Sequence, residues 1–247
     1  MTIRVAINGF GRIGRSILRA LLQSGQSDIE VVCVNDPMPA DILAHLLEFD
    51  SLHGRLAHSL CVQDGHLVIG GKAIALSHER TPDALSWKGV DIALECSGRF
   101  LTSTEAARHF SNGSSRVLLS APGQDRMKTV VYGVNHMSIE PTDRLLSNAS
   151  CTTNCLGPVA KILHDAFTIE RGMMTTVHSY TSTQNTHDGP HADLYRARAA
   201  ALSMIPTTTG AADILGAVLP ELSGRITGHA IRVPTPNVSC IDLVVDL

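Results

Sequence analysis

No apolar run in this sequence approaches the roughly 18 residues of a membrane-spanning helix. The opening segment MTIRVAING lacks the basic, apolar and small-residue regions of a secretory signal. Together these absences lead to the expectation of a cytoplasmic chain. Positive charge is not in excess either: the formal net charge is −3, so no global field draws the chain to nucleic acid or an anionic membrane. Six cysteines (Cys33, Cys61, Cys96, Cys151, Cys155 and Cys240) show neither paired C-x-x-C spacing nor the density of a secreted disulfide scaffold. Most of them read as small buried hydrophobes. Repeats and low-complexity segments are absent. What is present, 44% hydrophobic and 17% charged residues over 247 positions, suits a globular protein of one large domain or two smaller ones.

Ile3 to Asn8 (IRVAIN) is a short β-type run. GFGRIG follows, then Ile13, Ile17, Leu18, Leu21 and Leu22 at helical spacing until Gly25 ends the pattern. IEVVCVN is again strand-like, and VDIALEC, RVLLSAP and TVVYGVN read as further apolar strands. Thr102 and Glu105 suggest a capping box. Apolar strands alternating with amphipathic helices imply a parallel sheet covered on both faces. Beyond about Asn148 come an apolar helix, the strand MMTTVH, a polar stretch from Ser179 to about Ala200, and the helix AADILGAVL. The final runs, RITGHAIRVP and NVSCIDLVVDL, have no helix between them, which favours antiparallel pairing. The expected organisation is α/β: a dinucleotide-binding domain over 1–149, then an α+β domain over 150–247 with a mixed or antiparallel sheet.

In GFGRIG each position has a physical task. Gly9 allows the tight turn, Gly11 lets backbone approach a pyrophosphate at the helix N-terminus, and Gly14 lets helix and strand pack closely. Asp36, 22 residues beyond Gly14, accepts hydrogen bonds from a ribose and repels a 2′-phosphate, which favours NAD over NADP. Ser97, Gly98, Ser120 and Ala121 fall at later strand ends, where they are either ligand neighbours or turn residues.

The run SNASCTTNC places N-cap types Asn148 and Ser150 ahead of a helical pattern, so Cys151 belongs in the first turn, where the helix dipole stabilises a thiolate. The residues alone leave two readings of Cys151, nucleophile or small hydrophobe. Cys155 reads as structural, and Pro158 is expected to kink the helix. Among twelve histidines, His178 differs by ending a strand where a polar loop begins. His187 and His191 are separated by Gly189 and Pro190, which argues against a metal site. Hydroxyls and guanidinium groups (Ser150, Thr152, Thr181, the run Thr207 to Gly210, Arg196 and Arg232) are phosphate-binding types.

INGFGRIGR, SNASCTTNC, HSYTSTQ, RARAAALSMIPTTTGAA and RVPTPNVS, in this order along essentially the whole chain, resemble the phosphorylating, NAD-dependent glyceraldehyde-3-phosphate dehydrogenases. The resemblance implies a Rossmann domain, a catalytic domain, and a homotetramer. It carries the family's nucleophile onto Cys151 and its base onto His178. The cofactor site falls on Asn8, Gly9, Phe10, Gly11, Arg12, Ile13 and Asp36, the substrate phosphate on Thr181 and Arg232, and inorganic phosphate on Ser150, Thr152, Thr209 and Gly210. Arg196 matches an arginine serving the substrate phosphates. Ser97 stands where threonine is usual, Tyr195 where arginine is usual, and Gly123 where serine is common. The family carries a further C-terminal segment beyond this sequence, so the catalytic domain is expected to be incomplete. Erythrose-4-phosphate dehydrogenase, or a catalytically silent NAD-binding chain, is the alternative.

Overall fold

The computed structural model describes residues 2–247 and divides them into two compact units. The first comprises the chain up to residue 129 together with 139–149, and the second comprises 130–138 and 150–247.

The first unit opens with β1 (Ile3–Asn8), α1 (Arg12–Ser24), β2 (Ile29–Asn35) and α2 (Ala40–Glu48). A two-residue ladder pairs β3 (Phe49–Asp50) with β4 (Gly54–Arg55), and a meander follows through β5 (Leu60–Gln63), β6 (His66–Ile69) and β7 (Lys72–Ser77). Then come β8 (Ile92–Glu95), the short α3 (Ser103–Ala106), β9 (Arg116–Leu119) and β10 (Leu145–Ser147). Eight strands form one sheet in the order β10-β9-β8-β1-β2-β7-β6-β5. Pairing is parallel from β10 to β7, and the β5–β6–β7 meander extends the sheet antiparallel.

Alternation along β1 explains why both faces are covered. Ile7 joins Leu18, Val34, Leu43 and Leu47 on one side, while Ala6 joins Trp87, Ala93, Ala106 and Leu119 on the other. Full burial of each large apolar side chain contributes roughly 1.5–3 kcal/mol. Helix α1 ends at Gly25 in the left-handed conformation (φ 67°), and α3 begins with the full Thr102–Glu105 capping box, as both sequence signals require.

One expected strand is absent. TVVYGVN is a turn rather than a strand, apart from an isolated bridge between Thr129 and Ser147. The Asn135 side chain accepts the Val131 N–H at 2.8 Å, and Gly133 takes φ 82°, so the chain folds on itself instead of joining the ladder.

The second unit contains α4 (Cys151–Phe167), β11 (Arg171–Ser179), β12 (Ile205–Thr207), α5 (Ala211–Val218), β13 (Ile226–Val233) and β14 (Ser239–Asp246). Its helix α4 runs unbroken through Pro158. The sheet order is β12-β13-β11-β14. This corrects the expected pairing of the last two strands. They run in opposite directions but each pairs with β11, parallel for β13 and antiparallel for β14. Two strand spacings, about 9.5 Å, therefore separate them, and the link holding Pro234 and Pro236 crosses β11 instead of closing a hairpin. The polar stretch after β11 lacks regular structure but is tied internally, with Asn185 donating to the Gly189 carbonyl at 2.8 Å and accepting the Ala200 N–H on its own carbonyl.

Candidate active site

In the first unit the chain leaves β1 for β2 and β7 on one side and later returns to β8, β9 and β10 on the other, so the strand order reverses between β1 and β8. The carboxyl ends of strands at such a switch point form a crevice for dinucleotides. Gly9, with φ 90°, lies so close to β8 that a Cβ there would sit 2.4 Å from the Ser97 nitrogen; at Gly14 it would sit 2.2 Å from the Gly9 carbonyl oxygen. A Cβ at Gly11 would meet nothing within 4 Å. The turn is therefore packed by protein on two sides and open at Gly11. No side chain caps α1, which leaves its first N–H groups for an anion. The Asp36 carboxylate accepts the N–H of Phe10 at 2.8 Å and of Met38 at 3.0 Å, which holds it beside the glycine turn. These features fit NAD.

Several expected cofactor residues occupy less direct places. Phe10 is a core residue, 1% exposed, so only its backbone faces the turn. Asn8 is buried, and its side chain is spent on Glu95 and Asn35. Arg12 makes an ion pair with Asp50 at 3.6 Å, and Ile13 is exposed. Gly98, with φ 68°, turns the chain after Ser97, and Ser120 donates its N–H to the Glu95 carbonyl. Burial pushes the thiol of neighbouring Cys96 up to about 11, away from the thiolate form.

The thiol cluster lies in the second unit. Ser150 caps α4, its hydroxyl accepting the Thr153 N–H at 3.1 Å, and Cys151 is the first helical residue. Its Sγ lies 3.2 Å from His178 Nε2. The carbonyl of Ser179 lies 2.7 Å from His178 Nδ1 and accepts from Arg232 Nη1 at 2.9 Å. Arg232 Nη1 also comes within 2.6 Å of His178 Nδ1, so the guanidinium and the Ser179 carbonyl both face that nitrogen, and Nε2 is the nitrogen turned to sulfur. The hydrogen bond from His178 holds the Cys151 thiol below its ordinary value, against the opposing effect of burial, and Thr152 assists through side chain and backbone. His178 is raised in turn, chiefly by Cys151. Both shifts favour a thiolate–imidazolium pair.

Strand register brings the cationic groups to the same place. His178 pairs with Arg232 between β11 and β13, and Arg232 pairs with Ile205 of β12. Burial lowers the Arg232 pKa, and the nearby charge of Arg196 lowers it further. The Arg232 Nε is buried without a hydrogen-bond partner, an orphan donor of the kind an anion satisfies. Arg196 is held by Thr207, whose hydroxyl accepts from its Nε at 2.9 Å, and by Asp193 at 3.4 Å. Thr209 accepts the Ala211 N–H at 3.2 Å at the start of α5, where Gly210 is the N-cap. Thr181 is bonded to Thr183 at 2.9 Å, and Thr152 is buried in the first turn of α4. Cys155 is exposed and carries no comparable partner contact at sulfur.

Sequence reasoning missed two contributors. The Ser179 carbonyl that orients His178 has no sequence signal, since every residue has one. Glu95 does have a signal, an acid closing the apolar run VDIALE. Among the described residues no group of His, Cys, Asp and Glu could hold a metal ion, and no helix is long and apolar enough to cross a membrane.

Comparison with known proteins identifies the family. Residues 3–103 match the NAD-binding domain of glyceraldehyde 3-phosphate dehydrogenase, and residues 150–247 match its C-terminal domain. Glyceraldehyde-3-phosphate dehydrogenase of Cereibacter sphaeroides is 59% identical, covering 99% of this chain and 73% of the relative. Those of Xanthobacter flavus and Geobacillus stearothermophilus are 56% and 54% identical, with 73% and 74% of their lengths covered. The similarity embraces both the glycine turn and the Cys151–His178 pair, and the chain belongs to the glyceraldehyde-3-phosphate dehydrogenase family.

Proposed function

We propose that Cys151 and His178 carry out the NAD-dependent oxidation and phosphorylation of glyceraldehyde 3-phosphate to 1,3-bisphosphoglycerate. The observation that carries this reading is the 3.2 Å approach of Sγ to Nε2 at a helix N-terminus. The thiolate adds to the aldehyde carbon, and the imidazolium donates its proton to the resulting oxygen, which gives a hemithioacetal and a neutral base. His178 then withdraws that hydroxyl proton as the carbon is oxidised to a thioester. NAD, when bound, supplies the hydride acceptor. Inorganic phosphate attacks the thioester, forming the acyl phosphate and returning the thiolate.

Arg232 and Thr181 hold the substrate's phosphate, and Arg196 serves the substrate phosphates. Ser150, Thr152, Thr209 and Gly210 receive inorganic phosphate through hydroxyls and helix-end N–H groups. Gly9, Gly11, Arg12, Ile13, Gly14, Asp36, Ser97, Gly98 and Ser120 line the NAD site, with Asn8 and Phe10 acting from beneath it. The domains divide at 149/150, apart from 130–138, which falls in the second unit, and the chain is cytoplasmic. The assembly is a homotetramer, as the family resemblance implies, and the exposed apolar residues of the second unit, including Leu194, Leu202, Met204 and Val244, support association between copies.

The test is NADH formation from glyceraldehyde 3-phosphate, NAD and inorganic phosphate. Omitting phosphate should abolish sustained turnover. Equal turnover without phosphate would mean that the acyl-enzyme is hydrolysed, as in an erythrose-4-phosphate dehydrogenase. Light scattering reads the assembly.

A further inference from the structure

Beneath the glycine turn, the last residues of four adjacent strands form a polar row. Ser77 closes β7, Asn35 closes β2, Asn8 closes β1 and Glu95 closes β8, and they are register partners in that order. The Ser77 hydroxyl donates to Asn35 Oδ1 at 2.9 Å, Asn35 Nδ2 donates to Asn8 Oδ1 at 2.8 Å, and Asn8 Nδ2 donates to Glu95 Oε2 at 2.6 Å. Every donor points the same way. Glu95, 1% exposed, also accepts from His109 Nε2 at 2.8 Å, and from the N–H and hydroxyl of Ser97 at 2.8 and 2.5 Å.

Backbone groups fix this polarity from both ends. The Glu79 N–H donates to Asn35 Oδ1 at 2.8 Å, and the Glu79 carbonyl accepts from Asn35 Nδ2 at 2.9 Å. Asn35 cannot be reversed without opposing like groups. Asn8 must then turn its oxygen to Asn35 and its amide to position 95. On the other side, Asn112 Oδ1 accepts the Ser114 N–H at 3.1 Å, and Nδ2 donates to the Pro82 carbonyl and to His109 Nδ1, each at 3.2 Å. His109 therefore has its proton on Nε2, aimed at Glu95. Four donors converge, so position 95 requires a group that only accepts, with two oxygens: a carboxylate.

We propose that Glu95 is a positioning residue for the cofactor crevice, the acceptor that fixes Asn8 and Ser97 so that Gly9 and Gly98 hold their turns on either side of the strand-order reversal. This inference rests on the NAD-binding reading. A Gly9 Cβ would lie 2.4 Å from the Ser97 nitrogen, so a displaced Ser97 moves the wall against which the glycine turn rests.

The test uses the full chain with Glu95→Gln, Asn8→Asp and the double variant, titrated with NAD below every variant's unfolding midpoint. Glu95→Gln puts an amide against at least one donor, and Asn8→Asp faces two carboxylates, so each should weaken NAD binding by roughly tenfold or more. In the double variant the carboxylate introduced at position 8 accepts both from Asn35 and from the amide introduced at position 95, whose oxygen still accepts from Ser97. It should recover most of the lost affinity, with a residual deficit at His109. If Glu95→Gln alone fails to fold, the double variant still carries the test and should fold and bind within a few-fold of the parent. A lowered midpoint with unchanged NAD affinity in Glu95→Gln, or a double variant no better than it, would overturn the proposal alone. A parent chain that binds no NAD would overturn the cofactor reading and the proposal with it.

Discussion

Adding one methyl group at Gly14 and at Gly11 should have separable effects, because the two glycines face different surroundings. At Gly14 the new Cβ would sit 2.2 Å from the Gly9 carbonyl oxygen and 3.0 Å from Ile7 Cγ2. The carbonyl would have to retreat by about 0.8 Å merely to reach 3.0 Å, the difference between those two separations. Overpacking of this kind costs about 1–3 kcal/mol, partly offset by the better helix propensity of alanine. A net loss of about 1 kcal/mol, the middle of that range less the helix gain, corresponds to a fall in unfolding midpoint of roughly 2–4 °C for a chain of this size. The turn that meets NAD is displaced as well, so affinity falls too. At Gly11 the Cβ would touch no protein atom within 4 Å, and the φ of −70° suits any residue. Gly11→Ala should therefore lose no more than about 1 kcal/mol, as a poorer N-cap, yet fill the space through which backbone approaches a pyrophosphate. Calorimetry and NAD titration on both variants separate the two. A Gly11→Ala chain with unimpaired NAD binding, or a Gly14→Ala chain with an unchanged midpoint, would refute the reasoning.

Four further outcomes are expected. Iodoacetamide should label Cys151 before Cys155, and because the Cys151 thiol is lowered by His178, its reactivity should persist to lower pH than in His178→Asn, whose inflection moves up; coincident pH–rate profiles would contradict this. Removing Arg232 should reduce kcat/KM for glyceraldehyde 3-phosphate by roughly 10- to 150-fold, the value of a charged hydrogen bond, and Arg232→Lys should restore little of it in steady-state assays. Asp36→Ala should narrow the preference for NAD over NADP, read from paired titrations. Asp50 is held at about 2: burial acts upward, but the N–H groups of His53 and Leu52 and the charge of Arg12 outweigh it. Its stabilising contribution is complete above about pH 4 and is lost as pH falls through about 2, so Asp50→Asn should flatten that part of the acid-unfolding curve.

The sequence and the structure agree most closely where the physics is local. GFGRIG needs only neighbouring residues to specify a turn, since Gly9 takes a positive φ and Gly25 stops α1 by backbone conformation alone. Ser150 caps α4 through an N–H three residues away, and that short reach puts Cys151 at the positive end of the helix. Sequence and structure part where apolarity would have to decide pairing. TVVYGVN has strand composition, but Asn135 closes it into a turn, and an apolar run alone does not say whether a ladder partner lies within reach.

Residue order was enough to specify the glycine turn, the acid after β2, the thiol at a helix start and the alternation that buries both faces of the first sheet. All of these depend on contacts within a few positions or on the two-residue period of a strand. Long-range packing selected which of twelve histidines meets Cys151, 27 positions away, and made Arg232, 54 positions beyond His178, share its carbonyl partner. It also placed β11 between β13 and β14, and made Glu95 the point where four donors meet. Those outcomes required distant segments to be brought together against chain entropy, and only the packing of whole sheets and helices selects among the pairings that composition allows.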